Sequence, residues 1–122
     1  MKIMKKILEN SVTAKNKNFK VSLGYTGEGY NGDYDRSDPD DEPLLRIDIC
    51  QKAEDDRRRW RDDDVYSSCT GISARVTEEE ALAMCDKVLE KLDKLPPEKR
   101  CEPFFMMAWE SALKGADYGA MI

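Results

Sequence analysis

The chain has 122 residues, of which 37% are charged, no histidine, and a net charge of −5. That length gives one domain, residues 1–122, with a modest core. The missing histidine removes the commonest general base and the commonest transition-metal ligand, so the expectation is a protein that is not an enzyme.

Residues 1–20 carry six lysines and one glutamate. Ile3, Met4, Ile7 and Leu8 fall at helical spacing with lysines on the other side, which predicts a short amphipathic helix. Its lysines read as a solvated face rather than a nucleic-acid or membrane arm, because the run is short and offers no aromatic stacking. SVTAKNKN, residues 11–18, reads as a polar connector. Phe19, Val21, Leu23 and Tyr25 then alternate with Lys20, Ser22, Gly24 and Thr26, the period of a half-buried strand. Gly27, Gly29 and Gly32 break that strand and open an acidic loop, which ends at Pro43.

Leu45, Ile47 and Ile49 alternate with Arg46, Asp48 and Cys50 and give a second strand. AEDDRRRWRDDD, residues 53–64, reads as a hairpin tip with paired or solvated charges and Trp60 on the return strand. A third strand runs from Val65 to Ala74, with Tyr66, Ser68, Thr70, Ile72 and Ala74 on one face. Thr77 and Glu80 form a capping box at the start of a helix. Its apolar stripe is Ala81, Leu82, Cys85, Val88, Leu89, Leu92 and Leu95, and Pro96–Pro97 stops it. Pro103 opens a final helix that Gly115 closes. Phe104, Phe105, Met106, Met107 and Trp109 are too many apolar groups for one narrow stripe, so part of this helix is expected to be exposed, with homo-oligomerisation as one use. The predicted class is α+β: a three-stranded antiparallel sheet with helices packed on one face, in the order α-β-β-β-α-α.

Cys50, Cys69, Cys85 and Cys101 contain no CxxC pair, which argues against a zinc site. Buried, reduced thiols are the plain reading, and Cys50 and Cys69 fall on neighbouring strands, which leaves a disulfide open. No stretch nears the ~18 apolar residues of a membrane span, and MKIMKKILEN lacks the apolar core and small-residue cleavage site of an export signal. A cytoplasmic protein without membrane contact is expected.

The charge is concentrated. Glu28 to Glu42 reads EGYNGDYDRSDPDDE, seven acids against one arginine, a net of −6, so the other 107 residues sum to +1. Most such runs are solvated loops. Two sharper readings compete with that one. Asn31, Asp33, Asp35, Ser37 and Glu42 occupy the first, third, fifth, seventh and twelfth places of a calcium loop, but Arg36 sits at the sixth, where glycine belongs, and the flanks are not helical. Alternatively, the carboxylates imitate a row of phosphates and occupy a basic groove on a host protein that normally holds nucleic acid. The contact charges are then Asp33, Asp35, Asp38, Asp40, Asp41 and Glu42, with Tyr34 and Trp60 as anchors. This reading needs no cofactor, no metal and no direct contact with nucleic acid. GYTGEGYNG lacks the GK[ST] ending of a phosphate loop. Glu28, Asp33 and Asp35 supply carboxylates but no sign of the substrate cleft that a glycosidase pair needs.

Residues 27–49, GEGYNGDYDRSDPDDEPLLRIDI, resemble small proteins carried by bacteriophages and mobile elements, in the glycine-rich turn, the NGDY step, the DPDD step and the following LLRID. YSSCTGI, residues 66–72, resembles the strand that follows in them. The likeness covers less than half of the chain and assigns no role to single residues. The inferred element order also resembles that of small acidic anti-CRISPR proteins that mimic DNA. The first likeness implies a phage or mobile-element setting, and the second implies an acidic inhibitor of a host defence protein.

Overall fold

The computed structural model describes residues 6–52 and 65–117. Segment 53–64 with its expected hairpin tip and Trp60, and residues 1–5 with Ile3 and Met4 of the expected helix, lie outside the described residues. The strands are β1 (Val12–Lys15), β2 (Phe19–Tyr25), β3 (Glu28–Gly29), β4 (Gly32–Asp33), β5 (Leu44–Gln51) and β6 (Tyr66–Ser73). The helices are α1 (Glu78–Asp93) and α2 (Glu102–Lys114), with a short 3-10 turn at Pro97–Lys99 between them. The main sheet has the order β1-β2-β5-β6, antiparallel throughout, and β3 pairs with β4 as a separate two-stranded ribbon.

Alternation decides the sheet's two faces. Val21 lies opposite Ile49 and Leu23 opposite Ile47, and all four are fully buried, as are Phe19 and Leu45. Residues two apart share a face, so one side of the sheet is a continuous apolar layer, and both helices cover it. Burying one such side chain stabilises by about 1.5–3 kcal/mol.

The α+β class and the one-sided helices hold, but the sheet has four strands rather than three, and the element order differs at the start. The expected connector contains β1. Val12 is buried and Ala14 half-buried, while Thr13 and Lys15 face solvent, which is strand alternation in a polar context. Asn16 sets the turn into β2. Its Oδ1 accepts from the amides of Asn18 and Phe19, both at 2.9 Å, and its Nδ2 donates to the Asp93 carboxylate at 2.9 and 3.1 Å. Residues 6–11 are not helical. The Leu8 amide donates to the Ala74 carbonyl at 2.8 Å and the Leu8 side chain enters the core, so a cross-chain bond displaces the helical one.

Strand β6 carries a bulge. Arg46 lies opposite Cys69 but Leu44 opposite Ser73, so Thr70, Gly71 and Ile72 together face the single residue Leu45. Gly71 takes φ 70°, a left-handed conformation that glycine adopts without strain. Thr70, fully buried, donates its hydroxyl to the Leu45 carbonyl at 2.9 Å and accepts from the Ile72 amide at 3.0 Å. Those two bonds satisfy backbone groups that the broken ladder leaves over.

Both halves of the capping box form at α1: the Glu80 amide donates to Thr77 Oγ1 at 3.0 Å and the Thr77 amide to Glu80 Oε1 at 3.5 Å. Ala81, Cys85, Val88, Leu89 and Leu92 face the core, whereas Leu82 lies at the margin of the stripe and is exposed. Pro103 sits in the first turn of α2, and Gly115 closes it at φ 68°. Phe105, Ala108 and Trp109 are buried, Phe104 and Met107 are half-buried, and Met106 is exposed. Trp109 Nε1 donates to the Tyr66 hydroxyl at 3.0 Å. All four cysteines are free thiols. Cys50 pairs with Lys20 and Cys69 with Arg46, so the two cysteines do not sit opposite one another. Burial pushes the Cys85 thiol up to about 12. No helix among the described residues is long and apolar enough to cross a membrane.

Candidate functional site

The acidic loop is a structured unit between β2 and β5. Gly27 at φ 97° and Gly32 at φ 105° bend the chain into the β3–β4 ribbon, whose two-residue tip is Tyr30–Asn31. The Tyr34 amide donates to the Gly27 carbonyl at 2.7 Å and returns the chain to the base of the ribbon.

Asp41 holds the rest together. One of its carboxylate oxygens accepts from the amides of Tyr30 (3.0 Å) and Glu42 (2.9 Å), and the other from the amide of Asp35 (2.8 Å). Three chain positions separated in sequence are thus tied to one side chain. The Asp35 and Tyr30 amides, with that of Glu42, hold the Asp41 carboxyl below its ordinary value by stabilising the ionised form. Gly29 makes room for this carboxylate: a Cβ there would sit 2.6 and 2.7 Å from the two oxygens. Asp35 accepts from the Ser37 hydroxyl at 2.6 Å and the Ser37 amide at 2.9 Å, and these two bonds lower its pKa. Asp38 accepts from the Asp40 amide at 2.9 Å. These are side-chain-to-backbone turns, the usual way aspartates stabilise a loop that lacks a ladder.

Two acids are matched to cations at the loop's base. Glu28 receives Nε and Nη2 of Arg46, and these bonds draw its pKa down. Glu42 accepts from the Ser73 hydroxyl at 2.6 Å and lies 3.1 Å from Arg75 Nε. With Glu28 and Glu42 paired, five of the seven acids remain, Asp33, Asp35, Asp38, Asp40 and Asp41, against Arg36, a net of −4. Asp33 and Asp40 are exposed, and neither carboxylate makes a hydrogen bond or ion pair among the described residues.

The structure therefore gives the six expected contact acids different jobs. Asp35, Asp38 and Asp41 keep negative charge on the surface while shaping the loop. Glu42 joins the loop to β6, and Asp33 and Asp40 point outward. Tyr34 is half-buried: its hydroxyl accepts from Arg75 Nη2 at 3.1 Å and its ring meets Tyr25 edge-on at 6.3 Å. The outward aromatic is Tyr30, 61% exposed at the ribbon tip and the most exposed of the large apolar side chains described. Tyr30 is not among the anchors expected from the sequence, which were Tyr34 and Trp60. The signal was the pattern Gly29-Tyr30-Asn31-Gly32, because a two-residue turn between glycines has no core to face.

No group of three or more Cys, Asp or Glu side chains among the described residues is arranged to hold a metal ion. Asp35 and Asp41, which the calcium register needs or adjoins, are turned onto amides and a hydroxyl of their own loop. Beside the loop, an open cleft of about 600 Å³ is lined by Lys6, Ile7, Leu8, Glu9, Tyr25, Tyr34, Arg36 and Arg75. That is a concave, tyrosine-bearing cleft of a kind not foreseen for this chain, and it is lined by cations rather than by paired carboxylates.

Comparison with protein families, with curated proteins and with solved structures finds no match.

Proposed function

We propose that this chain is a non-catalytic protein-binding module whose acidic loop occupies a basic surface on a nucleic-acid-binding host protein, in the manner of a phage or mobile-element inhibitor. The observation that supports it most is the pairing of a braced backbone with an outward charge set. Tyr30 stands exposed at the tip, and Asp33 and Asp40 extend from a loop that Asp41 ties at three amides. A loop ordered before binding loses less entropy on association. An exposed tyrosine and outward carboxylates on one loop suit an arginine- and lysine-rich groove, with the aromatic ring as the anchor and the charges setting approach and register.

A competition assay tests this reading. A DNA-binding protein retained by the wild-type chain is loaded with labelled duplex, and the chain is titrated in. Displacement of the duplex by the wild type, and none by the Tyr30→Ala, Asp33→Asn, Asp40→Asn triple variant, is the expected result. A ternary complex with the duplex still bound would show that the chain does not occupy the nucleic-acid groove.

A further inference from the structure

We infer that the cleft beside the acidic loop is a binding site for a small organic anion that combines a flat ring with a phosphate, a ligand of mononucleotide size. The chain is acidic overall, yet Lys6, Arg36 and Arg75 all line this one hollow, with Glu9 the single acid among its lining residues. Arg75 is held in place. Its Nε lies 3.1 Å from Glu42 Oε1, its Nη2 donates to the Tyr34 hydroxyl at 3.1 Å, and its side chain is only 19% exposed. Glu42 offsets the charge of Arg75, but Arg36 and Lys6 have no ion-pair partner among the described residues. The cleft thus offers one preorganised guanidinium and two cations outside any ion pair among the described residues, with Glu9 as the acid set against them.

The walls supply the other half of the recognition. Tyr25 and Tyr34 both line the cleft and meet edge-to-face, with ring planes 81° apart. A flat ring can stack on one and meet the edge of the other. Ile7 adds apolar wall, and a second hollow of about 390 Å³ shares the segment Lys6–Glu9 and adds Val76, Thr77 and Glu78. About 600 Å³ falls within the range of roughly 300–1,000 Å³ typical of small-ligand sites. The acidic surface and this site share the loop but use different residues: Asp33, Asp40 and Tyr30 for the first, Tyr34 and Arg36 for the second.

Calorimetric titration of the full chain with AMP, phenyl phosphate, adenosine and inorganic phosphate tests the inference. AMP and phenyl phosphate are expected to bind with Kd near or below about 1 mM, with adenosine and inorganic phosphate roughly tenfold weaker or worse, since each lacks one half of the recognition. Arg36→Gln and Lys6→Gln, both at exposed positions, are expected to weaken AMP roughly tenfold and threefold respectively while the circular dichroism spectrum stays unchanged. Absence of heat with both AMP and phenyl phosphate at 5 mM overturns the site. Equal binding of inorganic phosphate and AMP overturns the role of the ring, and equal binding of adenosine and AMP, or unchanged affinity in Arg36→Gln, overturns the role of the cations.

Discussion

Replacing Thr70 by valine keeps the outline of the side chain and removes one hydroxyl. That hydroxyl bonds the Leu45 carbonyl at 2.9 Å and the Ile72 amide at 3.0 Å, at a position with no solvent exposure. Each buried polar group left unsatisfied costs about 1–3 kcal/mol. Two such groups are left, at about 2–6 kcal/mol together, and the added methyl returns about 1 kcal/mol of apolar burial, so the net loss is about 1–5 kcal/mol. Against a total of roughly 6–18 kcal/mol for a domain of this length, that is a large fraction. Thr70→Ser retains both bonds and loses only a methyl, about 1 kcal/mol. Urea unfolding of the three proteins, followed by far-UV circular dichroism, gives the two differences directly. The bulge also places Ser73 and Arg75 against Glu42, so the valine variant is expected to loosen the base of the acidic loop. Valine as stable as the wild type, or serine as damaging as valine, would refute the reasoning that the hydroxyl carries the bulge.

Gly29→Ala is expected to push the Asp41 carboxylate off its seat, because the new Cβ would lie 2.6–2.7 Å from both oxygens; hydrogen exchange at the amides of Tyr30, Asp35 and Glu42 should speed up while the core strands keep their protection. Asp35 and Asp41 have carboxyls held below their ordinary value of 3.8, so their contribution to the loop is present above that value and is lost as pH falls through their lower folded pKa. Amide chemical shifts of Ser37 and Glu42 should therefore be flat from pH 7 to about 5 and move only below about pH 4. Among the thiols, Cys69 and Cys101 are exposed and should react with a thiol reagent at pH 8 in the native state, whereas Cys85, buried and pushed up to about 12, should react only on unfolding. Mass spectrometry of alkylated protein with and without urea counts them.

The parts of the fold that the sequence made legible are those in which local pattern and tertiary packing agree. Phe19-Val21-Leu23 and Leu45-Ile47-Ile49 alternate over enough residues to define a face, and the Thr77–Glu80 box and the Pro103–Gly115 pair mark helix ends by local hydrogen bonding alone. Strand β1 is short, and Asn16, which shapes the following turn through the amides of Asn18 and Phe19, is itself anchored to Asp93, a contact 77 residues away that no local window contains. The helical spacing of Ile7 and Leu8 is overridden in the same way, by the bond from Leu8 to Ala74. At the candidate site, the charge was visible in composition but the division of labour was not. Which tyrosine faces solvent depends on Arg75, 41 residues from Tyr34, and which aspartates shape the loop depends on where its amides point.

That division determines how the binding claim is best tested. Neutralising Asp35, Asp38 and Asp41 would dismantle the loop along with its charge, so the informative bait carries Tyr30→Ala, Asp33→Asn and Asp40→Asn, with the braces intact. The measurement is a paired pull-down from bacterial lysate with wild-type and variant baits of matching circular dichroism, each eluted with a salt gradient. The account predicts a nucleic-acid-binding protein retained by the wild type, released as salt rises, and absent from the variant lane. The same protein held equally by both baits, or two identical empty lanes, would contradict it.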